Sequence, residues 1–169
     1  MAEKDLKPYR EAITSLIRQT SMKVLICPED MTQIKLGKKF VYDRLSKDVQ
    51  KRVVWKSEYW LTDEALSTYR LSAGLFGLEQ HSPIMCIGNG IPALLGRFRE
   101  QTTKGFMWKD IGLSDWYFDS DSKFDMDRLT AAVLQLANDP QGCIERAKKA
   151  QNYVNSLNQK CIGQLAENF

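Results

Sequence analysis

The single histidine of the chain, His81, lies in Leu78-Glu79-Gln80-His81-Ser82-Pro83, between a short apolar run (Ala73 to Phe76) and a second one that ends in Gly88-Asn89-Gly90. An imidazole exchanges a proton near neutrality, so this residue can serve as a general acid or base. Glu79 offers a second acid, or a group that orients the ring. Ser82 and Pro83 are the residue types that begin helices, a capping hydroxyl and a proline at the first helical position. A helix start presents free N–H groups and the positive end of the helix dipole, which suits a phosphate or a carboxylate.

Further along, Arg99 to Gly105 is a polar stretch that includes Glu100, Thr103 and Lys104. Lys104 carries a mobile point charge suited to a phosphate, and Thr103 stands beside it as a donor-binding candidate. Trp60, after an apolar run, can stack on a base or a sugar. Each residue also has a plain structural alternative. His81 can be a helix-start residue bonded to backbone, Glu79 a solvated turn acid, Lys104 a surface lysine, and Trp60 a core or rim side chain. Glu29 and Asp30 read as a helix cap and a first-turn acid rather than as substrate contacts.

The elements that would position these groups alternate between strand and helix. Leu6, Tyr9, Ile13, Leu16 and Ile17 recur at helical spacing and predict an N-terminal helix over about 6–20, with Pro8 in its first turn. Met22 to Cys27 reads as a first strand, followed by a helix from about Met31 to Leu45 that Gly37 weakens. Arg52 to Trp55 is a second strand, and a helix over about 63–70 follows Thr62-Asp63-Glu64. Ala73 to Phe76 and Ala93 to Phe98 are the third and fourth strands on either side of the His81 helix. A short helix over Phe106 to Ile111, a fifth, edge strand at Asp115 to Asp119, a helix marked by Met126, Leu129, Val133 and Leu136, and a last helix over about 140–165 complete the chain. The last helix carries a stripe of Ala147, Ala150, Val154, Leu157, Cys161 and Leu165, which must pack on the sheet or on a second copy of the chain. This alternation predicts one α/β domain over residues 1–169, three-layered and Rossmann-like, with a mainly parallel sheet of about five strands. In such sheets ligands bind beyond the carboxyl ends of the strands, which is where His81 falls.

His81 at a helix start, the Gly-Ile-Pro at Gly90-Ile91-Pro92, the strand after it, Lys104-Gly105-Phe106 and Ile111-Gly112-Leu113 together resemble the C-terminal half of the polysaccharide pyruvyl transferase family, over about residues 22–138. The resemblance implies one half of a GT-B-like fold and transfer of a pyruvyl group from phosphoenolpyruvate to a sugar of a cell-surface polysaccharide. It assigns His81 to the reacting site. The family carries an arginine two residues before this histidine, where this chain has Glu79. An acid in place of an anion-binding arginine leaves open a nucleotide-sugar donor, with Glu100 on the ribose hydroxyls, and a non-catalytic module of the same fold. The enzymes close two halves over their substrates to orient them and exclude water. The resemblance therefore implies an N-terminal half or a partner chain that this sequence does not contain, and a saccharide acceptor.

Composition narrows the remaining classes. With 169 residues and 43% hydrophobic content the chain is long enough to bury one core. Its net charge of +3 is scattered, which argues against nucleic acid. Cys27, Cys86, Cys143 and Cys161 have no metal-ligand spacing and read as reduced cytoplasmic thiols. No apolar run reaches the roughly 18 residues of a membrane span, and the N-terminal residues have no signal-peptide core. No nucleotide-binding glycine motif, nucleophile elbow or zinc cluster is present, so no cofactor and no metal are expected. There is no internal repeat.

Overall fold

The computed structural model describes residues 6–167. Helix α1 (Lys7–Gln19) buries Tyr9, Ala12, Ile13, Leu16 and Ile17, a stripe that follows the helical period. It packs on α7 (Lys123–Asn138), whose Leu129, Val133 and Leu136 are buried in turn. Apolar side chains of this size contribute roughly 1.5–3 kcal/mol each when fully buried, so this helix pair anchors the N-terminus firmly.

Strands β1 (Val24–Ile26) and β2 (Val53–Trp55) pair in parallel, Val24 with Val53 and Ile26 with Trp55. Between them the chain runs through α2 (Gln33–Leu36), a π-helical turn (Gly37–Val41), a 3-10 turn (Tyr42–Arg44) and α3 (Lys47–Gln50). The single helix expected over Met31 to Leu45 is therefore broken. The α-helical ladder gives way at Gly37, where a Cβ would stand 3.3 Å from Ile26 Cγ2. Helix α4 (Thr62–Tyr69) then leads to β3 (Leu75–Gly77), α5 (His81–Gly88), β4 (Ala93–Arg97), α6 (Met107–Asp110), β5 (Tyr117–Asp119), α7 and α8 (Pro140–Ala166). At α4 the backbone N–H of Leu61 is taken by the Glu64 carboxylate at 3.0 Å, so the acid, not the Thr62 hydroxyl, caps this helix.

The strands form two parallel sheets rather than one of five: β1-β2, and β3-β4-β5 with β5 at an edge. Strands of three to five residues make few ladder hydrogen bonds, and among the described residues no ladder joins β1 to β3. Side chains at the carboxyl ends of the strands join the two sheets instead. The core is continuous across both, and in β4 Ala93 to Gly96 are all buried. Two glycines allow close approach around that strand. A Cβ at Gly96 would collide with Tyr9 Oη, and Gly105, at φ 82°, would press a Cβ to 2.7 Å from Leu95 Cδ2. Trp108, in α6, is core: it is buried and donates from Nε1 to the Ala93 carbonyl at 3.2 Å.

The last helix runs as expected, with Asp139 accepting from the Gly142 N–H at 3.0 Å and Pro140 in the first turn. Its stripe divides. Cys143, Ala147 and Ala150 are buried, whereas from residue 152 to 167 every residue but Val154 is exposed. Among the described residues, no helix is long and apolar enough to cross a membrane.

Candidate functional site

The residues that follow β1, β2 and β3 meet. Glu29 comes from the turn after β1, Trp60 from the segment after β2, and Glu79, His81 and Ser82 from the turn after β3 and the start of α5. Glu29, Trp60, His81 and Ser82 line a cavity of about 280 Å³ together with Tyr59 and Tyr69, and Glu79 lies outside that lining.

Glu29 holds this site together. One carboxylate oxygen, Oε2, lies 3.2 Å from His81 Nδ1. The other, Oε1, accepts a short hydrogen bond from the Ser82 backbone N–H, in the first turn of α5. The negative charge thus rests on a free amide at the positive end of the helix dipole. With Glu29 ionised, Nδ1 is the nitrogen that carries the proton, and Nε2 keeps its lone pair. The His81 side chain is 82% exposed, so the ring is open to solvent.

A second layer fixes Glu29. Its backbone N–H donates to Gln33 Oε1 at 2.9 Å, and Gln33 Nε2 donates to Glu79 Oε1 at 2.7 Å. Glu79 therefore meets the site through Gln33 and through a side-chain contact with Glu29, and acts on His81 by charge. Its carboxyl is held above the ordinary glutamate range, first by partial burial and then by the charge of Glu29, with Lys104 and His81 pulling the other way. On the opposite side Tyr69 Oη donates to Ser82 Oγ at 3.0 Å. The Ser82 hydroxyl is thus engaged with a side chain and does not cap α5; residue 80 precedes the first turn, and the capping is done by Glu29 from 53 residues away. Burial pushes the Tyr69 phenol and the Cys27 thiol up, and that of Cys86 up to about 12.

Trp60 takes the role of a wall. It is 7% exposed, donates from Nε1 to the Pro28 carbonyl at 3.1 Å, and stands edge-to-face against Tyr69 at 5.6 Å. Lys56 Nζ lies 5.0 Å from the ring centroid. With those neighbours the ring has no open face on which a base or sugar could stack. The exposed aromatic beside the cavity is Tyr59.

The polar loop after β4 contributes charge rather than cavity surface. Glu100, Thr103 and Lys104 are exposed and none lines the cavity, although Lys104 is close enough for its charge to act on Glu79. Within this loop Thr102 has φ 55°, a left-handed backbone that a β-branched residue rarely adopts.

Glu29, Gln33 and Tyr69 were not among the expected site residues. Glu29 could have been found by the rule that pointed to His81, since it too follows a strand at its carboxyl end. Gln33 and Tyr69 lie within helical patterns and carry no local signal. Among the described residues no group of three or more histidines, cysteines and carboxylates could hold a metal ion. Compared with known protein families, with curated protein sequences and with solved structures, the chain gives no match.

Proposed function

We propose that this chain is the histidine-bearing half of a transferase of the polysaccharide pyruvyl transferase type, moving a pyruvyl group from phosphoenolpyruvate to a saccharide hydroxyl. The observation that carries the reading is the Glu29–His81 pair. A carboxylate on Nδ1 fixes the tautomer and orients the ring so that Nε2 can take a proton from an acceptor hydroxyl. The exposed Nε2 stands at the mouth of a cavity edged by Tyr59, a suitable surface for the apolar face of a sugar ring. The Lys104 ammonium, on the loop nearby, supplies positive charge for the donor's phosphate or carboxylate. A complete reaction chamber requires a second body over this face, either an N-terminal half or a partner chain, because the imidazole is otherwise open to water.

A second reading is favoured by the bond between Glu29 and the Ser82 N–H. The chain's own carboxylate occupies the amide that a ligand phosphate would use, and Glu79 stands where the resemblance leads one to expect an arginine. That arrangement suits a binding module that keeps the fold without the chemistry. A nucleotide-sugar transferase is the remaining alternative, and it would use Glu100 on the ribose.

Isothermal titration of the chain with phosphoenolpyruvate and, separately, with UDP- and CMP-sugars distinguishes the three. The proposal expects phosphoenolpyruvate to bind and His81→Gln to weaken it at least tenfold with an unchanged urea midpoint. Binding of a nucleotide sugar alone moves the assignment to glycosyl transfer. No heat with either class leaves the non-catalytic module.

A further inference from the structure

The C-terminal half of α8 carries large apolar side chains that the other described residues leave exposed. Tyr153, Leu157, Ile162 and Leu165 are 49%, 42%, 66% and 60% exposed, and Cys161 is exposed beside them. Leu157, Cys161 and Leu165 prolong the stripe that is buried at Cys143, Ala147 and Ala150, and Tyr153 and Ile162 flank it on opposite sides. Gln151 Nε2 ties the middle of the helix to the body by donating to the Gly88 carbonyl at 2.6 Å. A polar helix with one apolar stripe is marginal in water on its own, so the segment calls for a surface that covers the stripe.

We propose that the cover is the same segment of a second copy, packed antiparallel. The side chains are arranged for it. A two-fold axis between residues 157 and 158 exchanges Val154 with Cys161 and brings the two Leu157 side chains to the centre. The apolar residues of the stripe then meet apolar residues, and Leu165 reaches the rim of the partner's body, where the stripe goes under cover at Ala150. Charge agrees with this direction. Lys149 and Glu167 are exposed, and both stand outside the ion pairs formed among the described residues. They are five helical turns apart on one flank of the stripe, about 27 Å along the axis at 1.5 Å per residue. The antiparallel pairing sets Lys149 of each copy level, to within a residue, with Glu167 of the other. A parallel pair leaves the two charges at opposite ends. The overlap is one helix face, at the small end of specific interfaces, so the dimer should dissociate in the micromolar range.

Sedimentation velocity from low micromolar to hundreds of micromolar, on the full chain, should show a rise from the 19.4 kDa monomer to twice that mass. Leu157→Glu, at an exposed position, should abolish the rise with an unchanged circular dichroism spectrum. Direction is read by cross-linking. Val154→Cys should give a disulfide-linked dimer through Cys161 of the other copy under mild oxidation, because positions 154 and 161 of one helix are too far apart to bond to each other. The unsubstituted chain, whose two Cys161 side chains stand about 10 Å apart along the axis in this arrangement, should remain unlinked. A monomer at every concentration overturns the proposal, as does a dimer that survives Leu157→Glu. Cross-linking of the unsubstituted chain in preference to the Val154→Cys variant overturns the antiparallel direction and with it the pairing argued here.

Discussion

Glu29 and His81 lie 52 residues apart in the chain, and their side chains meet at 3.2 Å between Oε2 and Nδ1. Because the other oxygen of the same carboxylate holds the Ser82 N–H, one residue both orients the imidazole and closes the open end of α5.

Removing that carboxylate should cost stability as a lost helix cap does. Glu29→Ala is expected to lower the unfolding free energy by about 1 kcal/mol, and Glu29→Gln by less, since an amide oxygen still accepts from the Ser82 N–H. Urea titration followed by fluorescence and by circular dichroism measures both. Midpoints for the alanine variant equal to that of the unsubstituted protein would mean that the cap does not form in solution.

Glu79 makes stability depend on pH. Its carboxyl is raised in the folded protein above the ordinary 4.5, so the folded state holds a proton that the unfolded state has already released. Its contribution is fully present below about pH 4.5 and is lost as the pH rises through the higher, folded value. Glu79→Gln keeps an acceptor for Gln33 and removes the charge beside Glu29. The variant should gain stability relative to the unsubstituted protein at pH 7, and that difference should shrink as the pH falls to 4. Parallel urea curves with a constant difference across this range would contradict the assignment.

Gly96 and Tyr9 should behave as a coupled pair. A methyl at position 96 collides with Tyr9 Oη and approaches Leu78 Cδ2 to 3.2 Å, so Gly96→Ala should destabilise by about 1–3 kcal/mol. Tyr9→Phe removes the hydrogen bond between Tyr9 Oη and Ser120 Oγ, 3.1 Å long, at a cost of about 1 kcal/mol. In that background Gly96→Ala should cost less than it does alone. A double-mutant cycle by urea unfolding gives the coupling, and strict additivity would show that the helix moves aside instead.

The cysteines should separate by reactivity. Cys161 is exposed, whereas Cys86 is fully buried with its thiol pushed up to about 12. Brief treatment with iodoacetamide at pH 8, read by mass spectrometry of peptides, should label Cys161 first. Cys86 should react only after the protein is unfolded.

Much of the architecture is local and could be read from residue order. The stripe of Tyr9, Ile13, Leu16 and Ile17 makes α1 a helix wherever it packs, Asp139-Pro140 starts α8 with its own side chain, and strand–helix alternation dictates parallel pairing. The sequence by itself also determined that His81 stands at a helix start beyond a strand. It did not determine how the strands group, because whether a strand of three residues joins one sheet or another depends on a few ladder bonds and on what packs over them. Nor did it determine the partner of the histidine. The Glu29–His81 and Gln33–Glu79 contacts span 52 and 46 residues, and Trp60 is a wall because Tyr69 and Lys56 take its surfaces. Such contacts carry no periodicity and no local spacing. They exist only once β1 and β3 bring their carboxyl ends together, which is a property of the packed core and not of any segment.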